Sequence, residues 1–496
     1  MAGLSAVGGA LALNHYLVGI FYDDGLYAAL AWALAHGRGF VYPNLPGAPS
    51  AVHYPPLYPV VLAPLFGLLS VPAAAVVGKV LNVGFAAVAW GLTAWHSVRA
   101  QLLGDAAPPG LAGATIAAAA LAIPCLTVLT VLLSEPLFAL LFVVAVIFAD
   151  RPPARLSTSA AAVLAGVGAA LALLVRSIGV AVGAGVVVWL YTTGRAAARV
   201  QSWRLAGLAA TPLVLAGLGW GAWIVTHRAA IDPLLGPDYG SYFEIVRSAG
   251  VGALGATATD LGRPLGVLAL NWTRSRAVYF VCGVPMLGVW VYGLALLARR
   301  SAAGLALILY LAILACWPVP PDRFLWALLP WLALAWTCGA VGLWRRARLR
   351  VPVAILTVAL VVGYTRYEVR GFAGRWWTLA AQRISDTFAG ILPALDSLPP
   401  AAVVATDHDP LVWLYTHRAA VPLYIFGYRG HVVLEPPAAV HRAYLERQGV
   451  THVLLAGPDA DGAEELQRLI VAYPRWLVPI RRWPGGKALF EVRREP

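Results

Sequence analysis

The sequence predicts an α-helical polytopic membrane protein of about eleven transmembrane helices, followed by a small α/β domain. Three observations carry this. Of the 496 residues, 60% are hydrophobic and only 12% are charged. Apolar stretches able to cross a hydrocarbon core of about 30 Å recur from the N-terminus to residue 365. Beyond that point the pattern changes to short apolar runs and amphipathic segments of soluble type.

The expected spans are 3–21, 73–97, 111–131, 135–149, 157–174, 177–193, 205–226, 278–298, 303–317, 325–343 and 351–365. The first Lys or Arg is Arg38, so the N-terminus lacks the basic region of a cleaved signal peptide and its first segment is expected to stay as a helix. Residues 1–365 thus form the membrane domain, with a first loop at 22–72, and 366–496 form the α/β domain. In the latter, Ala401–Val404, His452–Leu455 and Ala488–Val492 read as strands, and 438–449 and 462–472 as helices. The Trp/Arg stretch Arg366, Arg370, Arg375, Trp376 and Trp377 suits a membrane interface. Internal repeats of the transporter kind are not evident.

Charge sets the orientation. Alternate loops hold Arg99, Arg151, Arg155, Arg195, Arg199, Arg204, Arg299, Arg300, Arg345, Arg346, Arg348 and Arg350 against Asp105 and Asp150. By the positive-inside rule this face is cytoplasmic. The opposite face collects Asp23, Asp24, Glu135, Asp232, Asp238, Glu244, Asp260 and Asp322, and with them the first loop and the C-terminal domain. The protein is therefore expected in the cell (inner) membrane, multi-pass, with its C-terminal domain exoplasmic or periplasmic. A formal charge of +13 in so apolar a chain reflects loop arginines and contact with anionic lipid, not nucleic acid. The cysteines, Cys125, Cys282, Cys316 and Cys338, are dispersed in apolar stretches and read as small buried hydrophobes.

The first loop is the most informative segment. Asp23-Asp24 closes the first apolar stretch, where adjacent carboxylates are costly unless they act or cap a helix. Gly37-Arg38-Gly39 and Gly47-Ala48-Pro49 are turns, and His53-Tyr54-Pro55-Pro56-Leu57 precedes a short, proline-broken helix from 57 to 69 suited to the membrane surface. Ser134-Glu135-Pro136 opens a span, Arg176 lies between two spans, and Asp322-Arg323-Phe324 precedes a span containing Pro330. Glu135 also fits a plain helix start, where a first-turn acid complements the dipole.

This order of motifs resembles the glycosyltransferase C (GT-C) superfamily, integral-membrane enzymes that use polyprenyl-phosphate sugars and include protein O-mannosyltransferases and lipid A aminoarabinose transferases. The resemblance covers most of the chain. It departs from the aminoarabinose transferases, which have an acid and a lysine before Pro-Pro where this chain has His53-Tyr54, and from the mannosyltransferases, which have Asp-Glu where this chain has Asp-Asp. It therefore points to the superfamily and to neither subfamily. It implies transfer of a monosaccharide from a polyprenyl-phosphate carrier to a glycan, lipid or protein acceptor, with inversion.

Asp23 or Asp24 would then be the general base, the first slightly favoured. Arg176, Arg323 and, more weakly, Arg38 would contact phosphate. The competing readings are an Arg176–Glu135 pair or snorkelling, and an Arg323–Asp322 pair. Glu135 would be a second carboxylate in the cavity, with His53 and Tyr54 meeting sugar or phosphate. The one cofactor these residues admit is a divalent metal ion on His53 with Asp24 or Glu135, although no tight ligand spacing supports it. Asp407-His408-Asp409 reads as a solvated loop with Pro410 starting a helix, its functional alternative being acceptor recognition. Asn271-Trp272-Thr273 matches the N-glycosylation pattern. The rival functions are a transporter or flippase of a lipid-linked sugar and a non-catalytic scaffold subunit.

Overall fold

A computed structural model of the protein describes residues 1–105, 107–192, 199–250, 260–262, 269–429 and 432–493. Arg195 and parts of the 227–277 loop lie outside these residues. The helices are α1 (Ala2–Ala12), α2 (Asp23–Ala35), α3 (Leu57–Leu68), α4 (Val71–Arg99), α5 (Pro109–Ala120), α6 (Ile123–Leu129), α7 (Glu135–Asp150), α8 (Thr158–Val175), α9 (Val180–Thr192) and α10 (Arg199–His227). Two short helices follow, α11 (Gly236–Tyr239) and α12 (Tyr242–Ala249). The bundle resumes with α13 (Arg276–Ala298), α14 (Ala302–Ala315), α15 (Asp322–Ala327), α16 (Leu329–Trp344) and α17 (Arg350–Ala373).

By length and composition, α4, α8, α10, α13 and the stretch containing α17 can each cross a membrane, and the bent pair α5–α6 makes a sixth. Their outward faces are apolar: Leu215, Leu218, Phe280, Val351 and Val358 are all exposed, as a hydrocarbon solvent allows. The other expected spans are shorter helices, and each break has a cause. Span 3–21 ends as a helix at Ala12, because the chain beyond it is used to hold a buried ammonium: Lys79 Nζ donates to Asn14 Oδ1 and to the Tyr16 carbonyl, both at 2.9 Å. Span 111–131 bends by 61° between α5 and α6. There the Ile123 amide donates to Glu368 of α17, and Pro124 has no amide hydrogen to continue a helix. Span 325–343 divides at Leu328, with Pro330 in the first turn of α16. Span 351–365 runs on to Ala373.

Close packing relies on small residues. A Cβ at Gly293 would overlap the Ala335 carbonyl oxygen, and one at Gly339 the Val289 carbonyl, so α13 and α16 meet backbone to backbone. Of the cysteines, Cys125 and Cys338 are buried as expected, Cys282 is half-buried and Cys316 is exposed. Asn271 donates its amide to the Gly363 carbonyl of α17 at 2.8 Å, which occupies the group that a glycan would need.

After α17 come α18 (Trp376–Ala389) and α19 (Leu392–Asp396), then β1 (Val403–Thr406), α20 (Asp409–Thr416), β2 (Ala419–Pro422), the hairpin β3 (Gly427–Arg429) and β4 (Val432–Leu434), α21 (Ala438–Arg447), β5 (His452–Leu455), α22 (Ala463–Ala472), β6 (Leu477–Trp483) and β7 (Lys487–Val492). The main sheet runs β2-β1-β5-β7-β6, parallel through β2, β1 and β5 and antiparallel beyond. Both helices and the three strands expected from the sequence are present. The strands β2, β3, β4 and β6 lie outside the expected segments; Pro422 and Pro479 interrupt the patterns of β2 and β6, which lie at sheet edges, where proline is tolerated.

A methyl group at Gly293 has nowhere to go. Gly293→Ala is expected to separate α13 from α16 and cost about 1–3 kcal/mol, read as a fall in Tm of the detergent-solubilised protein.

Candidate active site

The two acids of the first loop part company. Asp24 is buried, and its carboxylate accepts the backbone amides of Gly19, Ile20 and Phe21 at 2.9, 3.3 and 2.8 Å. It closes the turn that precedes α2. Gly19 makes that turn possible: its φ is +96°, and a Cβ there would strike the backbone of Leu411 in α20. Burial pushes the Asp24 carboxyl up, against the pull of its three amides. Next to it Tyr22 holds a φ of +62°, which turns Asp23 the other way.

Asp23 faces a polar cluster between the helix ends. The Tyr54 hydroxyl donates to Asp23 Oδ1 at 2.7 Å, and Arg323 Nη2 donates to Oδ2. Burial opposes ionisation, but the Arg323 guanidinium and the Tyr54 hydroxyl outweigh it and hold the carboxyl below its ordinary range. Arg323 sits in the first turn of α15, and its Nε lies 3.0 Å from Glu135 Oε1. The same oxygen is 2.8 Å from Arg176 Nη1.

Arg176 is the residue at which α8 ends and the chain turns into α9, with extended backbone at φ −147°. It is fixed on three sides. Its guanidinium meets Glu135, donates to Ser134 Oγ at 3.1 Å and stacks over the Phe324 ring at 4.7 Å. The Tyr27 hydroxyl shares a hydrogen bond with Ser134 Oγ at 2.9 Å. Side chains from α2, α7, the α8–α9 break and α15 therefore form one network, Tyr54–Asp23–Arg323–Glu135–Arg176–Ser134–Tyr27. Two carboxylates and two guanidiniums balance in it, with Asp23 and Arg323 at the accessible edge, 19% and 28% exposed. Asp322, the alternative partner of Arg323, is not the acid that holds it.

His53 packs behind Asp23, between the rings of Tyr54 and Tyr242. Its Nδ1–H donates to the Gly240 carbonyl at 2.6 Å, and burial lowers its pKa to about 4, so the ring is neutral with Nε2 left as an acceptor. Burial and the charges of Asp23 and Asp461 push Asp238 of α11 up to about 7.

A second buried network fixes this wall. Tyr239 and Asn44 Nδ2 both donate to Asp409 Oδ2, the latter at 2.9 Å, and the Tyr42 hydroxyl donates to the Tyr239 carbonyl at 3.2 Å. Asn44, Tyr42, Tyr239 and Asp409 are fully buried. The Asp407-His408-Asp409 segment is thus no solvated loop: Asp409 opens α20 inside the molecule, and Asp407 accepts the amides of Tyr424 and Gly462. The sequence carries no local signal for Asn44, Tyr239 or Tyr242, which become neighbours of the site only through this contact.

Two expectations are corrected by the geometry. Arg38 lies outside the cluster, exposed and stacked over Trp32 at 5.0 Å, because the turn at Gly37 carries it to the outer surface. His53, Asp24 and Glu135 do not converge as metal ligands. Asp24 is committed to backbone amides and Glu135 to two arginines, and among the described residues no three His, Cys, Asp or Glu side chains gather around a common point.

No protein-family model and no curated protein sequence matches the chain. Solved structures do match in fold. ArnT from Cupriavidus metallidurans in the apo state superposes with a TM-score of 0.56 at 14% identity, over 98% of this chain and 95% of that one. The same protein bound to undecaprenyl phosphate gives 0.50 at 14% identity, over 98% and 96%. The archaeal oligosaccharyltransferase AglB from Archaeoglobus fulgidus gives 0.49 at 12% identity, over 99% and 74%. The chain has the fold of ArnT along nearly its whole length, as the resemblance to the GT-C superfamily implied.

The division between the two acids is open to test by stability. Asp24→Ala leaves three amides without an acceptor and is expected to cost about 1–3 kcal/mol. Asp23→Asn leaves Arg323 on Glu135 and is expected to lower Tm much less in the same thermal unfolding measurement.

Proposed function

We propose that the protein is a membrane glycosyltransferase that moves a monosaccharide from a polyprenyl-phosphate donor to the hydroxyl of an acceptor, with inversion at the anomeric carbon. The observation that carries this reading is the Asp23–Arg323–Glu135–Arg176 network: an accessible carboxylate on Arg323, which Glu135 links to a second, buried guanidinium, at the rim of an apolar bundle. The ArnT fold supports it. The arginine-rich loops at the far end of the bundle support an orientation with this site and the C-terminal unit, residues 366–496, on the exoplasmic side of the inner membrane.

Asp23 is the base. It takes the acceptor hydroxyl proton as the acceptor oxygen attacks the anomeric carbon, and the bond from that carbon to the phosphate oxygen breaks with its electron pair on the phosphate. Arg323, with the pinned Arg176 behind it, holds the phosphate and takes up the charge it gains. Arg323 is half-exposed and shared between two acids, so it can exchange Asp23 for phosphate. Donor binding then releases Asp23 from its ion pair in the complex where a base is needed. The isoprenoid follows the apolar flank of α15, where Leu325 and Leu329 open into a cavity between α5, α16 and α17.

The test uses purified protein, a radiolabelled polyprenyl-phosphate sugar and candidate acceptors. Asp23→Asn is expected to lower turnover by about 10²–10⁴-fold; full turnover in this variant would remove Asp23 as the base. Arg323→Gln is expected to weaken donor binding and turnover together. The pH profile checks the exchange. In the free enzyme Arg323 favours the charged form of Asp23, so the acid limb of kcat/KM lies below the ordinary carboxylate range of about pH 4. In the donor complex the phosphate draws Arg323 away and adds negative charge, so the acid limb of kcat is expected at higher pH.

A further inference from the structure

The apolar cavity that begins at Leu325 extends far beyond the site. Its volume is about 1290 Å³, and it follows α16 from Leu329 to Trp344 and α17 from Phe372 back to Val353, so it reaches the opposite end of the bundle. Val358 and Val361 line it and are exposed, which leaves it open sideways to hydrocarbon. Its far mouth is formed by Ala107, Pro108 and Arg345.

Arg345 lines that mouth, and the Arg300 guanidinium lies beside it around Gly104. Gly104 occupies the left-handed region at φ +87°, and a Cβ on it would lie 3.1 Å from Nη2 of Arg345 and 3.3 Å from Nη2 of Arg300. Arg300 is held in place by the Leu102 carbonyl at 2.8 Å and by Cys338 Sγ at 3.4 Å. Among the described residues neither guanidinium has a carboxylate within ion-pairing distance, and Asp105, in the same turn, is exposed and pairs with neither. Like charges so placed repel, and an anion shared by both relieves that repulsion. Two arginine forks at the end of a long apolar trough match one chemistry, a phosphate joined to hydrocarbon chains.

We propose that this mouth binds an anionic phospholipid, its phosphate held by Arg300 and Arg345 and its acyl chains laid along Trp336, Val341 and Val358. The site lies at the far end of the trough from Asp23, in the leaflet opposite that of the proposed donor, and it does not depend on the chemistry assigned to Asp23. It binds a resident lipid that completes the packing of α16 on α17.

Thermal unfolding of delipidated, detergent-purified protein tests this, with added phosphatidylglycerol, phosphatidylcholine of the same chains, or inorganic phosphate. Phosphatidylglycerol is expected to raise Tm by several degrees and to be retained at one molecule per chain in native mass spectrometry. Phosphatidylcholine and inorganic phosphate are expected to leave Tm unchanged. Arg345 is exposed, so Arg345→Glu should fold, and it is expected to abolish both the rise and the retained lipid, while Arg345→Lys keeps part of the rise. The proposal is overturned if phosphatidylcholine raises Tm equally, if inorganic phosphate alone reproduces the effect, or if Arg345→Glu responds as the wild type does.

Discussion

Glu135 is the charge on which this end of the molecule depends. It is buried at the start of α7, and two arginines from different parts of the chain meet one of its oxygens. A guanidinium at the edge of hydrocarbon needs a partner, and Glu135 provides it for both. It thereby ties α7 to the α8–α9 break and to α15. Removing one partner from a buried pair typically costs about 3–5 kcal/mol, because the remaining charge is stranded. Asp23 completes the balance from outside. It is the member of the network whose partner can be exchanged without leaving a fully buried charge alone.

The loop that carries Asp23 is held from behind. Asp24 consumes three amides of its own turn, Gly19 presses on the backbone of Leu411, and Asn44 and Tyr239 meet on Asp409. The C-terminal unit therefore acts as a support: α20 is wedged beneath the acidic pair, and the α11–α12 segment is clamped between it and the first loop. A polar group buried this deeply is stable only when its hydrogen bonds are made, which gives the loop one conformation.

Much of this was legible in the chain. Asp23, Asp24, Glu135, Arg176 and Arg323 stand out because charged residues are rare and costly in an apolar sequence, and alternate loops differ sharply in charge. Residues that act through distant partners carry no such signal. Lys79 is buried within an apolar helix, yet only the folded chain brings Asn14 and the Tyr16 carbonyl to it, and that contact is what shortens the first helix. Asp409 looked solvated because its neighbours in sequence are polar, whereas its neighbours in space are Tyr239 and Asn44. Arg38 looked like a site residue because it lies in the right loop, but a glycine turn puts it on the outer surface.

By itself, then, the sequence determined the membrane class, most helices, the charge contrast between alternate loops, and the acids and arginines from which a site must be built. These follow from composition and order, since hydrocarbon admits few charges and each must have a reason. The tertiary structure decided which of two adjacent aspartates joins the arginine network, that Glu135 rather than Asp322 shares Arg323 with Asp23, and that His53, Asp24 and Glu135 point to separate partners. Those outcomes rest on the direction in which a backbone turn aims each carboxylate, and on pairings across more than a hundred residues, for which a linear pattern holds no signal.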